Sequence, residues 1–358
     1  AMLIEILRAT GKLPLAPGFE RTIYDMSVGY DLAGIQSPAI QRFIAALKDA
    51  RPIVDRLRAE LPAEYAQYRD LDFPTKLADT LTLSTFHGCP PDEIERIVEH
   101  LFARHQMHVV VKLNPTLLGF EQVDELLCHR LGYKDLRLVK HSFDSDLRWD
   151  DALAMIARLQ TAATKAGCRL GVKFSNTLVV KNHKQFFPQN EELMYLSGQP
   201  LHVLAISLAA RFAEATDGRI PISFSGGIDQ KNCAEVVACG LVPVTVCTDL
   251  LRPGGYGRMA KYLDSMPERF AEAGARTLSE LVAQRGAFVG FALARLRRRA
   301  RRVAVHAAVG GQRLHGADGA GEGVARGLLA LQLGLVRGLM RGARACRLGL
   351  ARAQRLAQ

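Results

Sequence analysis

The chain has 358 residues, of which 48% are hydrophobic, so it is long enough for a large domain with a substantial apolar core. It contains no run of eighteen or more apolar residues, which argues against a membrane-spanning helix. Its seven cysteines are scattered and form no CxxC pair, which argues against a disulfide scaffold and against a zinc or iron–sulfur site within the chain. We therefore expect a cytoplasmic protein with free thiols, no bound metal and no membrane association.

The net charge of +11 is concentrated at the end of the chain. Residues 287–358 contain 14 arginines, no lysine and two acidic residues, whereas residues 1–286 carry 33 basic and 34 acidic side chains. The first part is nearly neutral, so it is not expected to bind nucleic acid. The sequence thus predicts a domain over residues 1–286 and a separate tail over residues 287–358.

The tail is rich in Ala, Arg, Gly and Leu. It holds twelve glycines and no aromatic residue after Phe291, so little is available to stabilise helices or a core. One interpretation is a basic arm that binds nucleic acid or anionic lipid. The alternative, which we favour, is GC-rich coding sequence translated in a shifted reading frame. The tail is then low-complexity and disordered, and has no function of its own.

Residues 1–286 alternate between apolar, β-rich runs and amphipathic helical stretches. A helical segment at Leu3–Leu7 comes first. The helix that starts at Asp92 has acidic residues in its first turn and apolar residues at helical spacing, and Asp150–Ala166 repeats this pattern. The predicted strands, in chain order, are Thr22–Val28, Leu81–Thr85, His108–Leu113, Leu136–His141, Arg169–Phe174, Ile220–Ser225 and Val242–Thr248.

Apolar strands that alternate with helices are typical of a parallel sheet with helices outside it. We therefore predict an α/β fold, specifically a (β/α)₈ TIM-type barrel. Such a barrel needs eight strands and seven are predicted. We expect the first strand to lie upstream of this sequence, which would make the chain a fragment.

The last two predicted strands end in a pattern that is typical of a phosphate site. Gly226 and Gly227 follow Ile222–Ser225, and Val242–Asp249 repeats the layout about twenty residues later. In TIM-type barrels the loops after strands seven and eight commonly bind phosphate. Glycines let backbone N–H groups approach a phosphate closely, so a phosphate site is predicted here.

Two lysines stand near the ends of buried strands, Lys112 within Val109–Pro115 and Lys173 within Leu170–Thr177. A charged side chain at such a position points into the barrel mouth and needs an anionic partner. A reduced flavin ring, which holds negative charge near N1, is one. The alternatives are a structural ion pair, or a Schiff-base lysine in an aldolase or isomerase that acts on a phosphorylated metabolite.

Cys89 lies in the loop between a predicted strand and the Asp92 helix. A thiol near a helix N-terminus and a lysine can act as a general acid or base. A lone cysteine is more often a small buried hydrophobic residue, so both interpretations stay open.

Six motifs, taken in order, resemble the FMN-binding barrel of the dihydroorotate dehydrogenase and dihydropyrimidine dehydrogenase family. They are HGCP at 87–90, VKLNP at 111–115, SNT at 175–177, LSGQPL at 196–201, FSGGI at 224–228 and VCTDLLRPGGYGR at 246–258. Met26–Ile35 and Pro243–Arg258 are also similar to segments of large flavin and iron–sulfur proteins described as selenate reductase subunits.

The resemblance implies a flavoprotein oxidoreductase that transfers a hydride through FMN. It implies the following site residues: Gly226, Gly227 and Thr248 for the FMN phosphate, Lys112 for the flavin ring, and Asn176 and Thr177 for contact with flavin and substrate. Lys173, at the equivalent place in its own strand, is expected to bind the cofactor as well. Cys89 falls where related enzymes carry a catalytic base, so Cys89 and Lys112 are the expected catalytic residues. However, His87 and Gly88 replace the Asn and Ser that normally precede that cysteine, so orotate is not the expected substrate.

The resemblance also implies partners. Related proteins continue into iron–sulfur, FAD-binding and NADPH-binding parts, and those motifs are not found in this sequence. We expect a small-molecule substrate and electron-transfer domains or subunits with iron–sulfur clusters, with FAD and NADPH bound only in downstream domains. An inactive, truncated translation product is the non-catalytic alternative.

Overall fold

A computed structural model describes residues 1–11, 24–262, 264 and 266–286. The chain divides into two units, Ala1–Val305 and His306–Gln358, and all described residues lie in the first. The predicted tail over residues 287–358 lies outside the described residues, as does the start of the predicted strand Thr22–Val28.

The described residues contain eight strands: β1 (Met26–Val28), β2 (Thr80–Ser84), β3 (His108–Leu113), β4 (Leu170–Phe174), β5 (Leu178–Lys181), β6 (Leu193–Leu196), β7 (Ile222–Ser225) and β8 (Val244–Thr245). Six of them form a curled parallel sheet in the order β1-β2-β3-β4-β7-β8. The spatial order follows the chain order, as it does in a TIM-type barrel. The predicted α/β barrel class is confirmed.

Helices connect these strands and cover the outside of the sheet. They are α1 (Met2–Ala9), α2 (Leu32–Ile35), α3 (Pro38–Lys48), α4 (Arg51–Ala59), α5 (Pro91–His105), α6 (Phe120–Asp124), α7 (Lys140–Ser145), α8 (Trp149–Lys165), α9 (Gln199–Ala215), α10 (Cys233–Ala238), α11 (Met266–Ala273) and α12 (Leu278–Gly286). Tighter 3₁₀ turns span Ala63–Tyr68, Pro115–Leu118, Thr248–Leu251 and Gly255–Lys261, and Glu125–Arg130 is a π-helical turn. The predicted helices at Asp92 and at Asp150–Ala166 are confirmed as α5 and α8.

The main core lies between the sheet and this helical layer. In β3, Val109, Val111 and Leu113 are buried beneath α5 and its neighbours. Side chains alternate across a strand, so Lys112 must lie on the opposite, inner face of the curled sheet. The core therefore fixes which strand residues are available to the barrel interior.

The predicted strand Leu136–His141 is wrong. Only Leu138 makes an isolated antiparallel bridge, to Val180, and Lys140–Ser145 forms α7. β3 pairs directly with β4 instead. Leu136 and Leu138 of this run pack against the main core, and a short apolar segment that does so has the same sequence pattern as a strand.

Sequence analysis also missed the antiparallel hairpin of β5 and β6. In this hairpin Leu178 pairs with Leu196 and Lys181 with Leu193. The hairpin follows β4 directly and precedes α9, so it lies at the carboxyl edge of the parallel sheet.

Within residues 1–11, 24–262, 264 and 266–286, no helix is both long and apolar enough to cross a membrane. The six cysteines in these ranges are free thiols. The same residues bring together no group of three or more side chains of the kinds that ligate metals.

Candidate functional site at the carboxyl edge of the sheet

All of the predicted site residues lie at or near one edge of the parallel sheet. Parallel strands end at the same edge, so the loops that follow them converge there. The structure places Cys89 after β2, Lys112 near the end of β3, Lys173, Asn176 and Thr177 at the end of β4, Gly226 and Gly227 after β7, and Thr248 after β8.

Lys112 and Lys173 are direct neighbours in the register of β3 and β4. Lys173 is 9% exposed and Lys112 is half-buried. Burial lowers the pKa of both ammonium groups. Lys173 lowers the pKa of Lys112 further against a small opposing effect of Cys247, and Asp25 opposes the shift at Lys173. Neither ammonium group has an ion-pair or hydrogen-bond partner among the described residues, so the inner face favours an anion there.

The glycines after β7 form part of a narrow cradle. Gly227 has φ +57°, and a Cβ atom built on it would lie 2.6 Å from the Gly198 carbonyl oxygen and 2.9 Å from the Gln199 Cα. A Cβ atom on Gly198 would lie 3.0 Å from the Thr248 Cγ2. The Gly227 N–H has no acceptor among the described residues. Three backbone segments thus meet closely around Gly227, and a side chain cannot fit there.

Three side chains fix the direction of the two peptide groups after β7, and one of them, His202, is buried. The Gly226 carbonyl oxygen accepts a hydrogen bond from His202 Nδ1 at 3.0 Å. The Gly227 carbonyl oxygen accepts hydrogen bonds from Gln199 Nε2 at 3.1 Å and Asn232 Nδ2 at 2.9 Å. The direction of both carbonyl groups is therefore set before any ligand binds.

Thr248 is supported by the residue that follows it. Asp249 is buried and accepts two hydrogen bonds from Arg258, Nε at 2.9 Å and Nη2 at 2.8 Å, and one from the Tyr262 hydroxyl at 2.7 Å. The Thr248 hydroxyl itself lies 3.4 Å from the Ser197 hydroxyl. This arrangement holds the turn after β8 against the segment that begins α9.

A polar network joins the ends of β2, β3 and β4. The Asn176 amide nitrogen donates to the Thr85 carbonyl oxygen at 2.9 Å and to Asn114 Oδ1 at 2.8 Å. Both amide hydrogens are used in this way, so only the amide oxygen of Asn176 is available to a ligand. Thr177 is half-buried and leads into β5, and its hydroxyl has no hydrogen bond among the described residues.

Asp146, between α7 and α8, is the centre of this network, and sequence analysis missed it. Its side chain is 1% exposed and accepts hydrogen bonds from the Gly88 N–H at 2.6 Å, Thr116 Oγ1 at 2.7 Å and Asn114 Nδ2 at 3.1 Å. His87 Nδ1 lies 2.9 Å from Asp146 Oδ2. Burial alone would raise the pKa of Asp146, but hydrogen bonds from His87, Thr116 and Gly88 outweigh burial and hold the pKa below its usual range.

Cys89 is 5% exposed, and its sulfur lies 3.9 Å from the Pro90 carbonyl oxygen. Burial, followed by the charges of Glu93 and Asp92, raises the pKa of the thiol to about 12. Beside it is a cavity of about 10 Å³, lined by Thr85, Phe86, Cys89, Ile94, Leu113, Asn114, Leu117, Asp146 and Leu147. That volume holds roughly one water molecule. At neutral pH Cys89 is therefore a thiol, which suits a proton donor and not a base.

Comparisons with known proteins agree with this architecture. Residues 1–288 match the family model described as oxidoreductase YgfK, N-terminal TIM-barrel domain. The YgfK proteins of Escherichia coli strains K12 and O157:H7 are each 38% identical over 266 residues, covering 66% of this chain and 25% of each relative. The chain thus spans about a quarter of the length of these curated relatives.

Two further proteins are similar over parts of the chain. A dihydroorotate dehydrogenase (quinone) of Anaeromyxobacter sp. strain Fw109-5 is 31% identical over 113 residues, which is 31% of each chain. A crystal structure of ligand-free dihydroorotate dehydrogenase from Eimeria tenella has 16% sequence identity and a TM-score of 0.36, and the alignment covers 65% of this chain and 69% of that chain.

Proposed function

Because the chain belongs to the family of YgfK oxidoreductase N-terminal TIM-barrel domains, we propose that it is the FMN-binding barrel of a flavoprotein oxidoreductase. One observation carries the proposal: a cradle too narrow for a side chain adjoins two ammonium groups without carboxylate partners among the described residues. Lys173 is in register with Ser223 of β7, and β7 ends at Ser225, directly before Gly226, so the cradle and the lysines lie near the same strand end.

The residues present fit a flavin mononucleotide. Gly226, Gly227 and Thr248 would hold the terminal phosphate through backbone N–H groups and a hydroxyl. Lys112 and Lys173 would stabilise the negative charge of a reduced flavin ring from the inner face of the sheet. When bound, the flavin supplies hydride transfer. A monophosphate suits this cradle better than FAD, because the sequence contains no dinucleotide-binding glycine motif between a strand and a helix.

The substrate would meet the loop after β2 and the end of β4. Asn176 offers an acceptor oxygen there, and Cys89 offers a thiol that can donate a proton. These groups suit reduction of a C=C or C=N bond, which needs a proton as well as a hydride. An oxyanion such as selenate is the acceptor that the second sequence resemblance suggests.

The length of the relatives supports a proposal about partners. The chain covers a quarter of each YgfK protein, so electrons would be exchanged with further domains or subunits that hold iron–sulfur clusters, FAD and NADPH. The free thiols of the described cysteines suit a reducing, cytoplasmic location.

A non-redox aldolase or isomerase is the second candidate, favoured by one observation. Burial and the neighbouring Lys173 lower the pKa of Lys112, which is how a Schiff-base lysine is activated. Incubation with dihydroxyacetone phosphate followed by borohydride would attach the carbon skeleton to Lys112 if this function were correct. Lack of any adduct in peptide mass spectra would exclude it for this probe.

Reconstitution with three flavins tests the FMN proposal. The full chain is titrated with FMN, FAD and riboflavin, and binding is followed by quenching of flavin fluorescence. We expect FMN to bind most tightly and riboflavin, which lacks the phosphate, to bind at least tenfold more weakly. Equal affinity for FMN and riboflavin would contradict the phosphate cradle, and preference for FAD or no flavin binding would contradict the proposed cofactor.

A further inference from the structure

We propose that His87, oriented by Asp146, is the catalytic group that transfers the proton in the flavin-dependent reaction. This inference rests on the proposed flavin-dependent function and assigns the proton transfer to His87 instead of Cys89. Neither residue belongs to the site predicted from the sequence, where His87 and Gly88 were a departure from the family motif.

The hydrogen bond between His87 and Asp146 fixes the histidine tautomer. Asp146 is ionised and can only accept hydrogen bonds, so the neutral His87 imidazole must carry its hydrogen on Nδ1. Nε2 is then left with a free lone pair, and it has no partner among the described residues. A buried carboxylate that orients a histidine in this way is the arrangement that general acid–base catalysis uses.

Asp146 is held more firmly than an ion pair with His87 requires. Gly88, Thr116 and Asn114 donate hydrogen bonds to it from the loops after β2 and β3. These donors keep the carboxylate ionised in a buried position. Asp146 thus stays available to accept the hydrogen on His87 Nδ1.

His87 is placed where a substrate can reach it. Its side chain is 20% exposed, whereas Cys89, two residues later, is 5% exposed beside a cavity that holds about one water molecule. Tyr195 of the β5–β6 hairpin stacks on the imidazole with ring centroids 6.2 Å apart and an interplanar angle of 28°. The ring is thus held between the hairpin and the core, with one edge directed at Asp146.

The hydride and the proton of the proposed reaction come from different groups. In the reducing direction a bound flavin would supply the hydride, with both electrons, for one atom of the C=C or C=N bond. The other atom receives the proton from Nε2 of a protonated His87, whose Nε2–H bond breaks as the new bond forms. The neutral imidazole then takes a proton from solvent. In the oxidising direction neutral Nε2 accepts the substrate proton while the hydride passes to the flavin.

The tautomer is the first test and needs no turnover. Nitrogen-15 NMR of the full chain labelled at histidine should show neutral His87 with its hydrogen on Nδ1. Asp146→Asn should move the hydrogen to Nε2, and Thr116→Val, which removes only one donor to Asp146, should not. A wild-type His87 that is protonated on Nε2 would overturn the orienting role of Asp146, whether or not the Asn variant folds.

The second test separates proton transfer from electron transfer. The FMN-reconstituted chain is photoreduced without oxygen and mixed with 2-cyclohexen-1-one, which needs a hydride and a proton, or with ferricyanide, which takes only electrons. We expect His87→Gln to slow reoxidation by the enone by about 10²-fold to 10⁴-fold and to leave the ferricyanide rate unchanged. His183→Gln, an exposed histidine in the β5–β6 loop, is the matched control and should leave both rates unchanged.

Each other outcome has a definite meaning. Equal slowing with both acceptors would show that His87 has only a structural role. A larger loss of the enone rate in Cys89→Ala than in His87→Gln would assign the proton transfer to Cys89. Wild-type chain that holds flavin but leaves the enone unreduced would overturn the proposal for this substrate class. Failure to bind any flavin would contradict the proposed function itself. The tautomer experiment would still test whether Asp146 orients His87, because it needs no flavin.

Discussion

Replacement of Gly227 by alanine should destabilise the domain and remove its phosphate site together. The added Cβ would lie 2.6 Å from the Gly198 carbonyl oxygen and 2.9 Å from the Gln199 Cα, both of which are backbone atoms at the start of a long helix. Backbone atoms cannot move to relieve this clash as easily as the end of a flexible side chain can. The cradle must therefore open before the variant can fold.

The expected loss has two parts, and a matched glycine separates them. The φ of +57° at Gly227 costs an alanine about 1–2 kcal/mol, because its Cβ meets its own backbone. The clash with α9 adds about 1–3 kcal/mol, the usual range for overpacking. Gly255 has φ +49°, but a Cβ added there would meet no atom within 4 Å, so Gly255→Ala should show only the first part.

Urea unfolding measures both variants through the single tryptophan, Trp149, which lies at the start of α8. Gly227→Ala should be less stable than wild type by about 2–5 kcal/mol and Gly255→Ala by about 1–2 kcal/mol. Only Gly227→Ala should also lose affinity for FMN in the fluorescence titration. Equal stability of the two variants, or full FMN affinity in Gly227→Ala, would refute the cradle geometry.

Three further predictions follow from the charges and burial of the site. Cys89 should react with iodoacetamide at pH 8 far more slowly than the exposed Cys247, because it is buried and its pKa is about 12; equal rates in peptide mass spectra would contradict this. Lys112→Ala should lower the reduction potential of bound FMN, since loss of the cation destabilises the anionic reduced ring by on the order of 1–3 kcal/mol. If spectroelectrochemistry shows an unchanged reduction potential while FMN fully occupies the variant, Lys112 does not contact the flavin ring. Hydrogen bonds from Arg258 hold the pKa of Asp249 below its ordinary value of 3.8. Ionised Asp249 therefore stabilises the fold fully above pH 3.8, and this stabilisation is lost as the pH falls through the lowered pKa. Arg258→Gln should flatten that loss in urea unfolding below pH 3.8, and an unchanged acid profile would show that Arg258 is not its cause.

Local patterns in the sequence predicted most of the fold. Ile94, Ile97 and Val98 recur at helical spacing and are buried on one face of α5, as expected for a helix that covers a sheet. Lys112 and Lys173 interrupt apolar strands near their ends, and parallel pairing of β3 and β4 brings them side by side. Such features depend on residues that are close in sequence or on the rule that parallel strands end at one edge.

Features that depend on distant residues were not predictable in the same way. The partners of Asp146 lie 30 to 59 positions away, and the segment Asp144–Asp146 looks like an ordinary loop. The strand Leu193–Leu196 has no buried residue and pairs across a loop that carries no tight-turn signal. The strand prediction for Leu136–His141 was wrong because its apolar residues pack against the core without joining the parallel sheet. Periodicity alone cannot distinguish such a segment from a strand.

The long sequence separations around Asp146 also set when this part of the domain forms. Its hydrogen bonds need the ends of β2 and β3 to be in place, so we expect them to form late in folding, after most of the core has been buried. Interactions that form after the transition state change the unfolding rate and leave the folding rate nearly untouched. Asp146→Asn should therefore raise the unfolding rate in stopped-flow experiments and leave the refolding rate unchanged. The loop that carries His87 and Cys89 is then expected to lose its contacts with Asp146 before the transition state for unfolding is reached.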